Sequence, residues 1–209
     1  MDFVFDPSLV LYLPLYQLDG ASFVSKDAHG HLCSVTGALW RPNGRYFDGT
    51  DDKITIPDHN ALDLITDATI EVWLNIDDLS ANRAIVARHT NSFVMLCYGT
   101  GAGNPQKVGF GKNGVDEVRS TTQLSTNTWY HCVGTKNANL VGAVYINGVL
   151  EGTGTAANYS ALSDDILIGE LLTGSGDFSG LIGEVRIYNR ALTPQEIQCN
   201  YLATKWRYR

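Results

Sequence analysis

Hydrophobic and polar residues alternate along short stretches of the chain, and this period of two predicts β-strands. The clearest stretch is 68–76, where Ile70, Val72, Leu74 and Ile76 form one apolar set and the residues between them face the other way. We predict further strands over 9–14, 46–48, 53–56, 83–89, 93–98, 107–111, 115–120, 129–136, 141–146, 149–152, 166–170 and 180–188.

Turn signals separate most of these strands. Asn113-Gly114 and Asn147-Gly148 are strong hairpin turns, and 90–92 is predicted to close another hairpin. The segment 18–39 shows no clear alternation and is predicted to be irregular, while 57–67 is predicted to be a polar connection with one helical turn.

The last strand is predicted to lead into a short C-terminal helix. Thr193 suits the N-cap, Pro194 suits the first helical position, and Glu196 completes a capping box. With 21 Gly, 6 Pro and only 18% charged residues in 209, the chain predicts an all-β, two-sheet antiparallel sandwich. No linker or composition shift divides it, so we expect one domain over 1–209.

Acidic residues outnumber basic residues 22 to 15, which gives a formal net charge of −7. This charge argues against nucleic acid or an anionic membrane surface as the partner, and no apolar run is long enough to span a bilayer. The segment 1–17 lacks a basic n-region, and Pro7 and Pro14 interrupt its apolar residues. We therefore interpret it as a first strand and not as a signal peptide.

The four cysteines, Cys33, Cys97, Cys132 and Cys199, match no zinc or redox spacing. Cys97 and Cys132 lie in apolar runs, where a free thiol packs as a small core residue. Two interpretations stay open for this pair: buried free thiols, or a cross-strand disulfide in a secreted protein.

Four stretches of the sequence carry a family resemblance. They are RYFDGTDDKITIPD (45–58), ATIEVWLNI (68–76), NTWYHCVGTKNANLVGAVYINGVLEG (127–152) and GLIGEVRIYNRALTPQEI (180–197). Together they resemble the laminin G-like domains of the concanavalin A-like lectin/glucanase superfamily, and their order and spacing cover nearly the whole chain. The resemblance implies a jelly-roll sandwich with one concave and one convex sheet. It also implies a role in binding glycans or proteins.

The catalytic patterns of related enzymes do not occur in the sequence. Related glucanases carry paired carboxylates in a Glu-x-Asp-x-(x)-Glu run, but Glu71 has no carboxylate two or four residues on. Asp116 and Glu117 are adjacent and would point to opposite faces of a strand. The run 109–114 matches G-x-G-x-x-G only formally, because no helix follows it. We therefore expect that the protein is not an enzyme.

The resemblance also implies that the protein could bind a structural Ca²⁺. Members of the superfamily often hold this ion near the chain ends with an Asp of the last strand, a position that Gly183 occupies in this sequence. Asp19, Asp27 and Glu184 remain as the expected ligands, since Ca²⁺ takes several oxygens. The alternative is that these three carboxylates are solvated charges without a metal, and no other cofactor is expected.

A glycan site needs an aromatic platform and planar polar groups. One predicted site is a stripe on the concave sheet with Glu71, Trp73, Arg88 and Tyr98. The other is a set of loop residues: Arg83, His89, Asn91, Asn104, Lys112, Asn113 and Tyr159. Trp73 itself has two interpretations, a ligand platform or a ring packed beneath a loop.

The sequence thus predicts a non-catalytic, lectin-like module that recognises a glycan or polysaccharide by aromatic stacking and hydrogen bonds. The alternative is a structural or adhesion domain on a virion or cell surface that binds protein partners. A glycan-degrading enzyme is a distant third. Both leading functions place the protein outside the cell or on a virion surface.

Overall fold

Two antiparallel sheets pack face to face in a computed structural model of the protein, and one helix lies near the end of the chain. The structure describes residues 6–88, 92–101, 105–112, 115–161, 163–171 and 176–209, with the backbone alone at 115–117. Within these ranges, no helix has both the length and the apolar character that crossing a membrane requires.

Sixteen strands and one α-helix are numbered in chain order. They are β1 (Leu9–Leu13), β2 (Ser22–Val24), β3 (Leu32–Thr36), β4 (Leu39–Arg41), β5 (Gly44–Asp48), β6 (Lys53–Ile56), β7 (Ala68–Ile76), β8 (Arg83–Ala87), β9 (Val94–Cys97), β10 (Val108–Lys112), β11 (Val115–Arg119), β12 (Trp129–Lys136), β13 (Val141–Ile146), β14 (Val149–Thr155), β15 (Ile166–Ile168), β16 (Ser179–Tyr188) and α1 (Pro194–Thr204). A 3₁₀ turn at Asn60–Leu62 lies in the predicted polar connection, as expected.

Each sheet contains eight of these strands. Sheet A has the order β14-β13-β12-β7-β16-β5-β4, and β1 pairs with the far half of β16 beside β5. Sheet B has the order β11-β10-β9-β8-β15-β6-β3-β2. The long strand β16 is therefore paired along its whole length in the middle of sheet A, next to β7.

The main core lies between the sheets. The inward side chains of β7 include Ile70, Val72 and Leu74, which are completely buried. Phe47 of β5 meets Phe178 edge to face, with the ring centroids 5.9 Å apart. Burying such apolar side chains is the principal favourable term in folding, so alternation on the inner faces specifies the sandwich.

Most predicted elements are confirmed. The bounds of β6, β7, β12 and β13 are those predicted, and the strands predicted at 83–89 and 93–98 pair as a hairpin through β8 and β9. Asn147 and Gly148 both have positive φ, 52° and 78°, as the predicted type I′ turn requires. Residues 90 and 91 of the turn predicted at 90–92 and both residues of the turn at 113–114 lie outside the described residues.

The expectation for segment 18–39 is wrong, because it contains β2, β3 and the start of β4. β2 and β4 are edge strands and β3 lies next to an edge, and Val24, Leu32 and Leu39 on them are exposed although they are apolar. The pattern of apolar and polar residues therefore did not follow burial in this segment, and the alternation that marks a strand was lost.

The cysteines are free in the structure. Cys97 belongs to β9 in sheet B and Cys132 to β12 in sheet A, and both are completely buried. The interpretation as buried free thiols is confirmed, and the predicted cross-strand disulfide is not formed.

Candidate functional site

The outer face of sheet A is covered by the end of the chain. Glu71 and Trp73 point away from the main core, yet they are only 2% and 3% exposed. Helix α1 and the segment 205–209 lie over them: Trp73 Nε1 donates to Thr204 Oγ1 at 2.9 Å, and Asn200 Nδ2 donates to Glu71 Oε2 at 2.9 Å. A second buried layer therefore lies between the sheet and the helix.

Local sequence places the helix on this face. The Thr193 hydroxyl accepts from the Glu196 backbone N–H, and the Glu196 carboxylate accepts from the Thr193 N–H at 2.8 Å, so the capping box is formed. Arg190 binds both Glu196 and Asp6, which ties the start of the helix to the start of the chain. Ile197 is fully buried in a small apolar cluster on the outer face.

Arg186 bridges two buried carboxylates in the layer beneath the helix. Its Nη1 lies 3.5 Å from Glu71 Oε1, and its Nη2 is paired with Glu184 Oε1. His131 Nε2 lies 2.9 Å from Glu71 Oε1, which completes a buried network. Since a buried charge is costly without partners, the guanidinium is the group that lets two carboxylates occupy this layer.

The environment shifts the pKa values of Glu71 and Glu184 in opposite directions. Burial raises the pKa of Glu184 to about 7, against the opposing charge of Arg186. Burial also raises the pKa of Glu71, but the hydrogen bond and charge of His131, with Arg186 and Asn200, hold it below the ordinary value. Two acidic groups are thus close together, but they are covered by the helix and face no open cleft.

A pocket of about 250 Å³ opens beside this layer. Its lining residues are Trp73, Trp129, Asn147, Tyr201, Lys205, Tyr208 and Arg209. Trp73 stacks with Tyr201 and Tyr208 at centroid distances of 5.8 and 4.5 Å, and Trp129 lies 4.7 Å from Tyr208. Trp73 and Tyr208 are nearly buried, whereas Trp129 and Tyr201 are partly exposed, so the accessible rings rest on a packed aromatic base.

Gly183 makes this aromatic base possible. A Cβ at this position would lie 2.3 Å from Tyr208 Cε1, a distance that no packing tolerates. The glycine at this position of β16 therefore leaves room for the Tyr208 ring.

The predicted stripe with Glu71, Trp73, Arg88 and Tyr98 is not formed and has to be corrected. Glu71 and Trp73 belong to sheet A, whereas Arg88 and Tyr98 directly follow strands of sheet B. The alternation of apolar and polar residues predicts which face of a strand a side chain lies on. It does not predict which of the two sheets the strand joins, and this is why the stripe was wrong. For Trp73, the structure supports the interpretation as a packed ring, although packing beneath a helix and not a loop.

Two predicted ligand-binding arginines hold loops together. Arg88 is 1% exposed and donates to the backbone oxygens of Leu62 and Asp164, while pairing with Asp58 and Asp63. A glycan cannot reach a guanidinium that is enclosed in this way.

Arg83 donates to the backbone oxygens of Asp78 and Asp177 and is paired with the Asp78 carboxylate. Among the other predicted residues, Tyr98 is partly exposed and accepts a hydrogen bond from Arg119. His89 and Asn113 lie outside the described residues, as do Asn91 and Asn104 of the loop set. Their part in binding stays a prediction.

The predicted metal ligands do not converge. The Asp27 carboxylate accepts from the backbone N–H groups of Tyr12, His29 and Gly30, and so it organises its own loop. Glu184 is committed to Arg186, and Asp19 contributes its backbone oxygen to Arg45. These three residues are therefore not one ligand set.

A different acidic group exists in the described part of the chain. The carboxylate oxygens of Asp48, Asp51 and Asp52, in the turn after β5, lie within 4.8 Å of one another. Asp52 accepts from the Asp48 N–H at 2.8 Å, which gives it a role in the turn itself. Ca²⁺ binding by the protein stays a prediction.

The pocket residues other than Trp73 were missed by the sequence reasoning. The signal that points to them is the aromatic and basic run KWRYR at 205–209, next to the helix. Its function depends on which strand the helix covers, and no local pattern encodes that.

The arrangement defines a class: a two-sheet β-sandwich of the lectin-like kind. Residues 48–198 match the laminin G-like family model described as the concanavalin A-like lectin/glucanases superfamily. The chain belongs to this family, as the resemblance implied. No curated protein sequence matches the chain.

Solved structures with the same fold include enzymes and toxins. The chain is similar to the Trypanosoma rangeli sialidase in complex with 2,3-difluoro-KDN, with a TM-score of 0.74 at 18% identity over 97% of this chain and 34% of that one. It is similar to the botulinum neurotoxin serotype D binding domain, with a TM-score of 0.71 at 14% identity over 94% of this chain and 52% of that one. It is also similar to the botulinum neurotoxin serotype G binding domain, with a TM-score of 0.71 at 15% identity over 94% of this chain and 51% of that one.

These similarities show the fold alone. The chain spans about a third of the length of the sialidase and about half of the length of the toxin binding domains. The same sandwich therefore accompanies different activities, and function has to be argued from this chain's own residues.

Proposed function

We propose that the protein is a non-catalytic, lectin-like module that binds a glycan in the pocket beside helix α1. The observation that carries this proposal is that Trp129 and Tyr201, two partly exposed rings, meet polar side-chain ends above a packed aromatic base. A sugar offers an apolar ring face for stacking and hydroxyls for hydrogen bonds, and such a pocket matches both.

The rigidity of the base supports the same proposal. Trp73 is fixed by its stacking with Tyr208 and by its hydrogen bond to Thr204, so the rings above it are held in place before any ligand arrives. A preformed site loses less conformational freedom on binding. The superfamily and the toxin binding domains also fit a binding module.

The absence of catalysis is part of the proposal and rests on the carboxylates. Glu71 and Glu184 form a buried pair in the layer next to the pocket, and both are bridged by Arg186 beneath the helix. Most glycosidases use two carboxyl groups that flank the bond they cleave. Neither of these groups is accessible in that way.

The test is a glycan array with the complete chain, followed by calorimetry on the strongest hits. Trp129→Ala should weaken binding by at least about tenfold, because a stacked ring is lost. The matched control is Trp40→Ala, since Trp40 is also partly exposed but lies in the edge strand β4 of sheet A and does not line the pocket. An array without hits, or equal loss in both variants, would overturn the proposal.

The second candidate is an adhesion or structural domain on a cell or virion surface that binds a protein partner. The observation that favours it is the exposure of Trp206 and Leu202, 61% and 50%, four residues apart at the end of α1. A silent array together with a stable oligomer by light scattering, lost in Trp206→Gln, would favour this function. We propose that the protein acts outside the cell or on a virion surface, where both kinds of partner are found.

A further inference from the structure

We propose that the pocket beside α1 selects an acidic sugar, one that carries a carboxylate, over its neutral counterpart. This inference rests on the proposed glycan-binding function and names the class of glycan. It is carried by the charges that surround the pocket, which differ in sign from those of the chain as a whole.

Two cationic side chains line the pocket, and none of its lining residues is acidic. Lys205 and Arg209 are the charged residues of its lining, although the chain has 22 acidic residues against 15 basic ones. A concave site lined by one sign of charge focuses the field and attracts a ligand of the opposite sign. A neutral sugar would make no use of this reversal.

The two acidic residues of the layer beneath the helix, Glu71 and Glu184, do not line the pocket. Glu71 accepts from Asn200 and faces His131 and Arg186, and Glu184 is paired with Arg186. Both carboxylates are buried and share the Arg186 guanidinium within the layer beneath the helix. The anion of a ligand would therefore meet the two cations with no acidic side chain among the lining residues.

Lys205 is held where it can meet the anion. Its ammonium lies 5.5 Å from the centroid of the Tyr201 ring, and its backbone caps the end of α1, where a cation is favoured. Arg209 is exposed, and its planar guanidinium can engage a carboxylate through two parallel hydrogen bonds. Lys205 thus supplies a charge in a fixed position, and Arg209 supplies an exposed guanidinium that can form two hydrogen bonds.

Asn147 supplies a neutral donor to the same pocket. Its side-chain oxygen accepts from the His131 N–H at 3.0 Å, which orients the carboxamide and leaves its NH₂ group to donate. A donor of this kind serves a sugar hydroxyl or the second carboxylate oxygen. The chemistry of the lining is therefore one ring surface, one neutral donor and two cations.

The test compares matched pairs of probes by calorimetry: 3′-sialyllactose against lactose, and a glucuronate oligosaccharide against the corresponding glucose oligosaccharide. The acidic member of one or both pairs should bind roughly tenfold more tightly, as a charge-assisted hydrogen bond predicts. Lys205→Gln and Arg209→Gln should each reduce that preference, and the double variant should abolish it while neutral binding persists. Added salt should weaken the acidic probe alone.

The control is Lys107→Gln, a partly exposed lysine next to sheet B that should leave the preference unchanged. Equal affinity for acidic and neutral probes would overturn the acidic preference but leave the glycan-binding function standing. An acidic preference that survives the double variant would overturn the assignment to this pocket. Failure of every glycan to bind, with all variants folded by circular dichroism, would overturn both proposals.

Discussion

The two faces of strand β7 are equally buried but are built from different chemistry. The inward face contributes Ile70, Val72 and Leu74 to an apolar core between the sheets. The outward face contributes Glu71 and Trp73 to a layer of charges, hydrogen bonds and stacked rings under α1. One strand therefore takes part in two cores, and only the first depends on the hydrophobic effect alone.

The comparison shows where burial of polar atoms reduces the stability of the fold. In the layer under the helix, His131 Nδ1, Arg207 Nε and Tyr208 Oη are buried without a hydrogen-bond partner among the described residues. Each such atom gives up its hydration without a replacement, so this layer is less favourable per buried atom than the apolar core. A polar layer of this kind is where pH and single charge changes should act.

Removal of the bridging cation should have the largest effect. Arg186→Met leaves Glu71 and Glu184 without their common partner, and breaking a buried pair costs about 3–5 kcal/mol. We expect that loss in the free energy of unfolding, measured by denaturant titration in alkaline buffer. A variant as stable as the native protein would mean that this layer is not held by charge.

Leu74→Ala is the matched change on the inward face of the same strand. Truncation of a buried leucine costs about 2–5 kcal/mol through lost burial and a residual cavity. This loss should be the same in acidic and alkaline buffer, whereas the loss in Arg186→Met should shrink when carboxyl groups are protonated. Identical pH behaviour of the two variants would break the comparison.

The buried Glu184 should make stability depend on pH. Its pKa is raised from 4.5 in the unfolded chain to about 7 in the folded protein, so between these values the folded state binds more protons. Stability should therefore be highest at the acidic end of this window and fall, on the order of 3 kcal/mol, as pH rises through about 7.

Glu184→Gln should flatten the profile over the same window, because an amide does not titrate and can still accept from Arg186. Unfolding free energies at several pH values across the window give both slopes. The prediction fails if the native protein shows no slope or if the variant keeps it. The lowered pKa of Glu71 acts only below its ordinary value of 4.5, outside this window.

The apolar core between the two sheets could be predicted from the sequence. The layer between sheet A and helix α1 could not. Alternation gave the bounds of β7 and β12, and the turn residues gave the hairpin at Asn147 and Gly148. Both signals are local, since they depend on neighbouring residues. The burial of the outer face of sheet A depends on where helix α1 packs. The hydrogen bond from Asn200 to Glu71 joins residues 129 positions apart, so no local pattern determines it.

The same distinction explains the errors in the predicted site. Glu71 and Arg88 are polar residues in apolar surroundings, a pattern that indicates either an exposed binding site or a buried charge with partners. Among the described residues, the partners of Arg88 come from three separate segments, at 58, 62–63 and 164. Only the fold brings these segments together, so the sequence alone favoured the wrong interpretation.

Gly183→Ala should have an intermediate effect on the outward layer. The added Cβ would overlap the Tyr208 ring, and overpacking of this kind costs about 1–3 kcal/mol. Displacement of Tyr208 should also change tryptophan fluorescence, since that ring contacts both Trp73 and Trp129. Gly101→Ala is the control, because a Cβ there meets nothing within 4 Å.

The smallest effect is expected at the start of the helix. Thr193→Ala removes the hydroxyl that accepts from the Glu196 N–H, and loss of such a cap costs about 1 kcal/mol. Thr193→Ser should restore it. Since α1 covers the polar layer and not the apolar core, hydrogen exchange should accelerate at α1 amides while those of β9, in sheet B, keep their protection. Equal acceleration in both would show that the two buried layers open together, because the helix would then be part of the same cooperative unit as the sandwich.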